Sequence, residues 1–392
     1  MSVVNRRNFL KASGVIVLPV VAPAIPAIAS GYREPQQGPV PVIIKFFGDG
    51  EMFEPGDYLD HLQQLNKANP IGKDRYGTGG AVEELEKKFT EITGKEKAVY
   101  MPSGTMANQF AIHVLSGENT KVVVQETSHV YRDEADAAQS VFQKRLIPRA
   151  KDRTGFTADE LKQRVEALQQ EEAFAGRIGV VSIENPVRRS DGRAVPFDEI
   201  KKSSEYCRNN QIKLHLDGAR IYMAAAWYGI SVKEYAAYFD TVYISLYKYL
   251  GASAGAILCG DSKLMGKMPH LIKIHGGNMF SSWTNAAMAL HRLEGMEARL
   301  QDARKRGEEI FAALNKLNGI RVSPLQNGTN IYEVLFGKEI DGKKVQQTLN
   351  KEFSIRMIPP DEQNKTKLTV NETILYRDAG DVINAFTRAM QG

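Results

Sequence analysis

The sequence predicts an α/β fold, with a large, mainly parallel sheet domain followed by a small C-terminal α/β domain. Three observations point to it. Short β-branched runs at 122–125, 178–183, 212–216 and 241–247 alternate with helix-patterned stretches through the middle of the chain. The runs at 212–216 and 241–247 lead into Asp217 and Lys248, with a Gly218-Ala219-Arg220 turn and helix-like segments 221–228 and 231–238 between them, so the unit reads strand, crossover, strand. A shorter alternation closes the chain: strand 330–336, helix 343–351, strands 354–358 and 367–370, helix 379–390. With 392 residues, 43% of them hydrophobic, there is enough apolar surface for two cores. The expected divisions are 1–29, an arm at 30–60, a large domain at 61–295 and a small one at 296–392.

Residues 1–29 have the layout of a secretory signal. Arg6-Arg7-Asn8-Phe9-Leu10-Lys11 is followed by an apolar run and by Ala27-Ile28-Ala29, an A-x-A cleavage pattern. The paired arginines resemble a twin-arginine signal, which implies the twin-arginine export machinery as a partner and a periplasmic mature protein. A general-secretion signal and a membrane anchor are the competing readings. Pro19, Pro23 and Pro26 interrupt the apolar run, which argues against a stable membrane span. The formal charge of +5 falls to +2 without Arg6, Arg7 and Lys11, and that is no nucleic-acid footprint. Cys207 and Cys259 permit at most one disulfide, and the seven histidines form no recognised ligand spacing, so no metal is expected.

Along the rest of the chain, residues 31–60 are rich in Gly, Pro and acidic residues and read as irregular. Tyr76-Gly77-Thr78-Gly79-Gly80 feeds an amphipathic helix with Val82, Leu85, Phe89 and Ile92 on one face. Val82 stands where a dinucleotide fingerprint needs its third glycine. A strand at 98–101 runs through Pro102 into Ser103-Gly104-Thr105 and a helix at 106–115. Such a turn offers free N–H groups and two hydroxyls to a phosphate, or simply caps the helix. His129 follows the strand at 122–125, placed to stack on a flat ring or to cap the next element. Arg188 follows the strand at 178–183, where it can meet an anionic group or remain in a solvated loop. A sheet strand is expected at 253–259, and one long helix from 283 to 317.

A buried lysine and a buried carboxylate each cost several kcal/mol unless paired or bonded to a ligand. Lys248 could snorkel to solvent and Asp217 could cap a helix. Pyridoxal 5'-phosphate explains both at once, because its aldehyde condenses with a lysine and its ring nitrogen needs a carboxylate to stay protonated.

Taken with Tyr76-Gly77, the segment Pro102 to Asn108, His129, the segment Leu214 to Arg220 and the residues around Lys248, the order of motifs resembles the aromatic amino-acid β-eliminating lyase and threonine aldolase family. The resemblance spans roughly residues 74–293 and implies the aspartate-aminotransferase-like fold. It also implies that Lys248 holds the cofactor covalently, that Asp217 pairs with its ring nitrogen and that His129 stacks on the ring. Ser103, Gly104 and Thr105 would hold the phosphate, Arg220 the substrate carboxylate, and Tyr76 would lie near a subunit boundary of a homodimer or homotetramer. Tyr76, Arg188 and Lys367 are further candidates for substrate contact. The chain departs from the family where Phe47-Gly48-Asp49 replaces an Arg-Ser-Asp segment, where Lys367 replaces a late-strand arginine, and where Tyr247 and Tyr249 flank Lys248. The implied activity is Cα–Cβ cleavage of a β-hydroxy L-amino acid to glycine and an aldehyde. The alternatives are β-elimination of a β-substituted amino acid and, in another class, non-catalytic binding of an amino acid or partner.

Overall fold

The computed structural model describes residues 42–173 and 176–392, so the signal-type segment 1–29 and the start of the arm lie outside the described residues. The described chain enters through a two-residue strand, β1 (Ile44–Lys45). Seven strands then form the central sheet: β2 (Lys97–Met101), β3 (Lys121–Gln125), β4 (Arg145–Arg149), β5 (Ile178–Glu184), β6 (Lys213–Asp217), β7 (Thr241–Ser245) and β8 (Ala256–Gly260). Their order across the sheet is β2-β8-β7-β6-β5-β3-β4. Only β8 runs against its neighbours, pairing antiparallel with β2 and β7. Buried on both faces, parallel strands read as near-continuous apolar runs, and β5 and β7 are buried at every position.

β3 has β4 on one side and β5 on the other, so the chain changes its direction of travel across the sheet there. Ligands collect beyond the carboxyl ends of strands at such a point. Those ends carry Gln125, Glu184 and Asp217. The helix Gly104–Ser116 lies across β5 to β8 with Phe110, Ala111 and Ile112 buried, and its N-terminus is next to the same edge of the sheet.

The C-terminal lobe has a three-stranded antiparallel sheet made from β9 (Ile320–Pro324) and β10 (Ile331–Phe336), then, after β11 (Ile355–Arg356), β12 (Lys365–Thr369). β11 pairs in parallel with β1. Asn371 Nδ2 donates to the carbonyls of Lys45 at 2.8 Å and Phe47 at 3.2 Å, and Phe46 is buried against Phe311 and Phe386. The first described residues are therefore pinned to the C-terminal lobe and aimed at the central sheet.

Several expectations need correction. The arm does not stay irregular to residue 60, because a helix spans Pro55–Ala68, with proline in its first turn, where the missing N–H is no loss. The long helix expected at 283–317 is two, Trp283–Leu293 and Met296–Leu314, broken where Gly295 takes φ +65°. β7 stops at Ser245, which leaves Lys248 in the following loop. The strand expected at 354–358 shrinks to β11 and joins β1 rather than the three-stranded sheet. Periodicity missed β4, the helix Ala158–Glu171 and β9. Both cysteines are buried and free. No helix among the described residues is long and apolar enough to cross a membrane.

Candidate active site

Asp217 is buried at the end of β6, and the geometry around it settles several hydrogen positions. Asn108 Nδ2 donates to Asp217 Oδ2 at 2.9 Å and to Glu134 Oε1 at 2.8 Å. The Asn108 carbonyl must therefore face His215 Nε2, 2.9 Å away, so that nitrogen carries the proton and Nδ1 accepts from Thr241 Oγ1 at 2.8 Å. Burial pushes His215 down to about 4, which keeps it neutral. The Ala219 N–H gives Asp217 Oδ1 a further donor at 3.2 Å. His129 joins through Nδ1, 2.9 Å from Glu134 Oε1. Burial opposes a charge on His129, but Glu134 and Asp217 outweigh it and the ring titrates above its ordinary value. Glu134 is itself pushed up by burial.

Glu184, at the end of β5, is in register with Asp217. Its two oxygens accept from the backbone N–H groups of His129 at 2.7 Å and Arg188 at 2.8 Å, which ties the His129 segment to the sheet. Burial, and then the neighbouring Asp217, push Glu184 up to about 7.

Lys248 is buried, and among the described residues its Nζ makes no hydrogen bond or ion pair; it lies 5.2 Å from the centroid of the Tyr247 ring. Burial, with Arg220 adding to it, pushes the amine down to about 8, while Asp217, Asp49 and Glu184 pull the other way. A lysine so placed keeps a usable fraction of free amine near neutral pH. Arg220, at the start of the helix Ile221–Tyr228, donates from Nε to Asp49 Oδ1 at 2.7 Å and from Nη2 to Asp49 Oδ2 at 2.8 Å.

The helix N-terminus supplies the remaining side of the site. Ser103 caps it by accepting from Met106 N at 3.3 Å, and a Cβ on Gly104 would overlap the Tyr243 hydroxyl. Only glycine fits there, so the backbone approaches closely at a point where helix N–H groups are free for an anion. Ser245 Oγ, three residues before Lys248, is buried with no hydrogen-bond partner among the described residues. A buried orphan hydroxyl, a helix start without a Cβ and an unpaired lysine are what a phosphorylated aldehyde would satisfy, so the residues present fit pyridoxal phosphate.

Lys248, Asp217, His129 and Arg220 come together, linked by contacts or by mutual electrostatic effect. Three predicted residues have side chains engaged outside this group. The Arg188 side chain turns to Asp133 at 3.3 Å and is about half exposed. Lys367 pairs with Asp191 at 2.7 Å. Tyr76 packs edge-on against Phe280 and lines a separate cavity of about 420 Å³ with Glu86 and Tyr100. Sequence reasoning gave no role to Asn108, Glu134, Glu184, Asp49 or Ser245. Glu184 had the same signal as Asp217, a carboxylate closing an apolar run; the others had none that periodicity could isolate.

A lysine and a carboxylate at the carboxyl edge of a mainly parallel sheet, beside a helix start open to an anion, define a pyridoxal-phosphate enzyme with the aspartate-aminotransferase-like fold. The β-eliminating lyase family profile matches residues 62–335, and the chain belongs to that family, as a pyridoxal-phosphate-dependent lyase. It is 30% identical to a low-specificity L-threonine aldolase of Candida albicans over 276 residues, covering 70% of this chain and 73% of the relative. The low specificity L-threonine aldolase of Escherichia coli K12 is also 30% identical over 276 residues, 69% of this chain and 79% of the relative. A crystal structure from Exiguobacterium sp. 255-15, of a protein assigned as an aromatic amino acid β-eliminating lyase/threonine aldolase, superposes with a TM-score of 0.73 at 28% identity, over 88% of this chain and 96% of that one.

Proposed function

We propose that the protein is an exported lyase of threonine-aldolase type, cleaving the Cα–Cβ bond of a β-hydroxy L-amino acid to glycine and an aldehyde. The observation that carries the reading is the Lys248–Asp217–Arg220 group at one sheet edge, in a chain 30% identical to L-threonine aldolases. When bound, pyridoxal phosphate supplies an electron sink for the bond broken next to the amine. Ser103, Gly104, Thr105 and the orphan Ser245 hydroxyl would hold its phosphate, and Lys248 would hold it covalently. Asp217, which accepts from Asn108 and the Ala219 N–H, would hold a proton on the ring nitrogen. His129 is fixed by Glu134 through its side chain and by Glu184 through its backbone, and so held it would offer its face to the cofactor ring. Arg220 would orient the substrate through its carboxylate, and the Lys248 amine, when free, would be placed to give and take a proton.

β-Elimination is the second reading, favoured by the family profile itself. Incubating the cofactor-loaded protein with a panel of β-hydroxy and β-substituted amino acids separates the two. Glycine plus an aldehyde supports aldol cleavage; a keto acid plus ammonia sinks it in favour of elimination. Export is proposed from Arg6-Arg7 and Ala27-Ile28-Ala29. A reporter fused to residues 1–40 should lose export when both arginines become lysine, and unchanged export would remove the twin-arginine route. Self-association as a dimer or tetramer is supported by exposed Tyr76, Ile274, Met279 and Phe280, and light scattering showing a monomer would refute it.

A further inference from the structure

Asp49 lies in the bend that follows β1 and takes one whole edge of the Arg220 guanidinium, through Nε at 2.7 Å and Nη2 at 2.8 Å. A guanidinium presents two edges able to hold a carboxylate with two parallel bonds, Nε/Nη2 and Nη1/Nη2. The first is filled here, and among the described residues nothing takes Nη1. The Tyr249 hydroxyl, buried in the loop of Lys248, donates to Asp49 Oδ1 at 3.3 Å and fixes the carboxylate from a second direction.

The bend is built to deliver this side chain. Gly48 and Gly50, on either side of Asp49, take φ of +76° and +104°, which other residues rarely adopt. The flanking chain is held by β11 on one side, and on the other by the Glu51 N–H donating to Glu372 Oε1 at 3.4 Å. Arg220 needs such a partner. Its side chain is only 15% exposed, and the buried Glu184 lies within its electrostatic reach as an alternative carboxylate.

We propose that Asp49 is the positioning residue for the substrate: it locks Arg220 by the Nε/Nη2 edge, so that the Nη1/Nη2 edge is the one offered to the α-carboxylate of the amino acid. The proposal rests on the reading of Arg220 as carboxylate receptor. It makes the binding of amino acids depend on a residue supplied from the C-terminal lobe side of the site, and it predicts that the effect of Asp49 on amino-acid binding passes through Arg220.

The test uses the cofactor-loaded protein and glycine, an amino acid with no Cβ to cleave, whose binding is read from the visible spectrum. D49N keeps the shape but loses the charge and one acceptor. Glycine Kd and the KM of a cleaved β-hydroxy amino acid should each rise about tenfold, with kcat changed less than about threefold. Cofactor affinity, measured by titrating the cofactor-free variant, should stay as in the parent. In an R220Q background D49N should add nothing. Tighter glycine binding in D49N would mean that Asp49 competes with substrate for Arg220, and would overturn the proposal. So would parent-like binding in D49N, or an equal effect of D49N with and without R220Q. R220Q binding glycine as the parent does would overturn the receptor reading and the proposal with it, whereas parent-like D49N beside a weakened R220Q overturns the proposal alone. Should D49N fail to fold, Y249F loosens the same carboxylate and should raise glycine Kd about twofold to threefold; no change would count against the proposal equally.

Discussion

Replacing Lys248 with methionine, a side chain of similar volume without the charge, should stabilise the cofactor-free protein near neutral pH. The amine is buried and unpaired among the described residues, and burial with the adjacent Arg220 pushes it down from 10.5 to about 8. Because the folded value lies below the unfolded one, the unfolded chain binds the proton more tightly between about pH 8 and 10.5. Stability of the parent therefore rises with pH across that window. At about 1.36 kcal/mol per pH unit, the buried cation costs about 3 kcal/mol at pH 7.5, about 2 kcal/mol at pH 9 and under about 0.5 kcal/mol at pH 10.5. For a chain of 392 residues this corresponds to roughly 4 °C in Tm at pH 7.5. Starting the scan there leaves most of the titration of Glu184, near 7, below the window, and burial holds Tyr249 well above its ordinary value, above it. Thermal unfolding of the cofactor-free parent and K248M should show the gap closing as pH rises. A gap that stays constant from pH 7.5 to 10.5, or widens, would refute the placement of Lys248 as an unpaired buried amine.

Two further outcomes follow from the same contacts. Asn108→Leu leaves Asp217 and Glu134 without a shared donor and His215 Nε2 without an acceptor, so stability should fall by about 4 kcal/mol, roughly 5 °C in Tm, and a parent-like melting curve would contradict the network. Gly104→Ala places a methyl group against the Tyr243 hydroxyl at the helix start, so titration of the cofactor-free variant should show pyridoxal phosphate binding weakened about tenfold or more, and unchanged affinity would remove the phosphate from that seat.

The parts of the site legible in the sequence are those whose signal is local. Asp217 and Lys248 stood out because a charged residue closing or following a β-branched run contradicts the run, and the Ser-Gly-Thr turn because it opens a helix straight from a strand. Asn108 carries no such contradiction. It sits in the second turn of a helix where polar residues are ordinary, and its burial exists only because that helix lies over β6, which brings it to Asp217 across 109 residues of sequence. The broken helix is a different case, since Gly295 was visible as a breaker and apolar periodicity on both sides outweighed it. Pro55 likewise marked a helix start inside a stretch whose Gly and acidic content read as irregular.

Charge shows the deeper limit. By sequence Arg220, Arg188 and Lys367 are three cations able to meet an anionic substrate, and each comes with a carboxylate of its own: Asp49, Asp133 and Asp191, at separations of 171, 55 and 176 residues. A sequence displays cations but not which of them the fold has already matched, because the partners are set by strand order and by where the first described segment is pinned. Matching also differs in kind. The Arg188 and Lys367 pairs are partly exposed, where such pairs contribute little and can re-form with any anion. The Arg220 pair is bidentate, with the guanidinium largely buried, and fixes a direction. If Arg220 receives the substrate carboxylate as proposed, recognition of an amino acid depends less on how many basic residues surround Lys248 than on which edge of one guanidinium the fold leaves open.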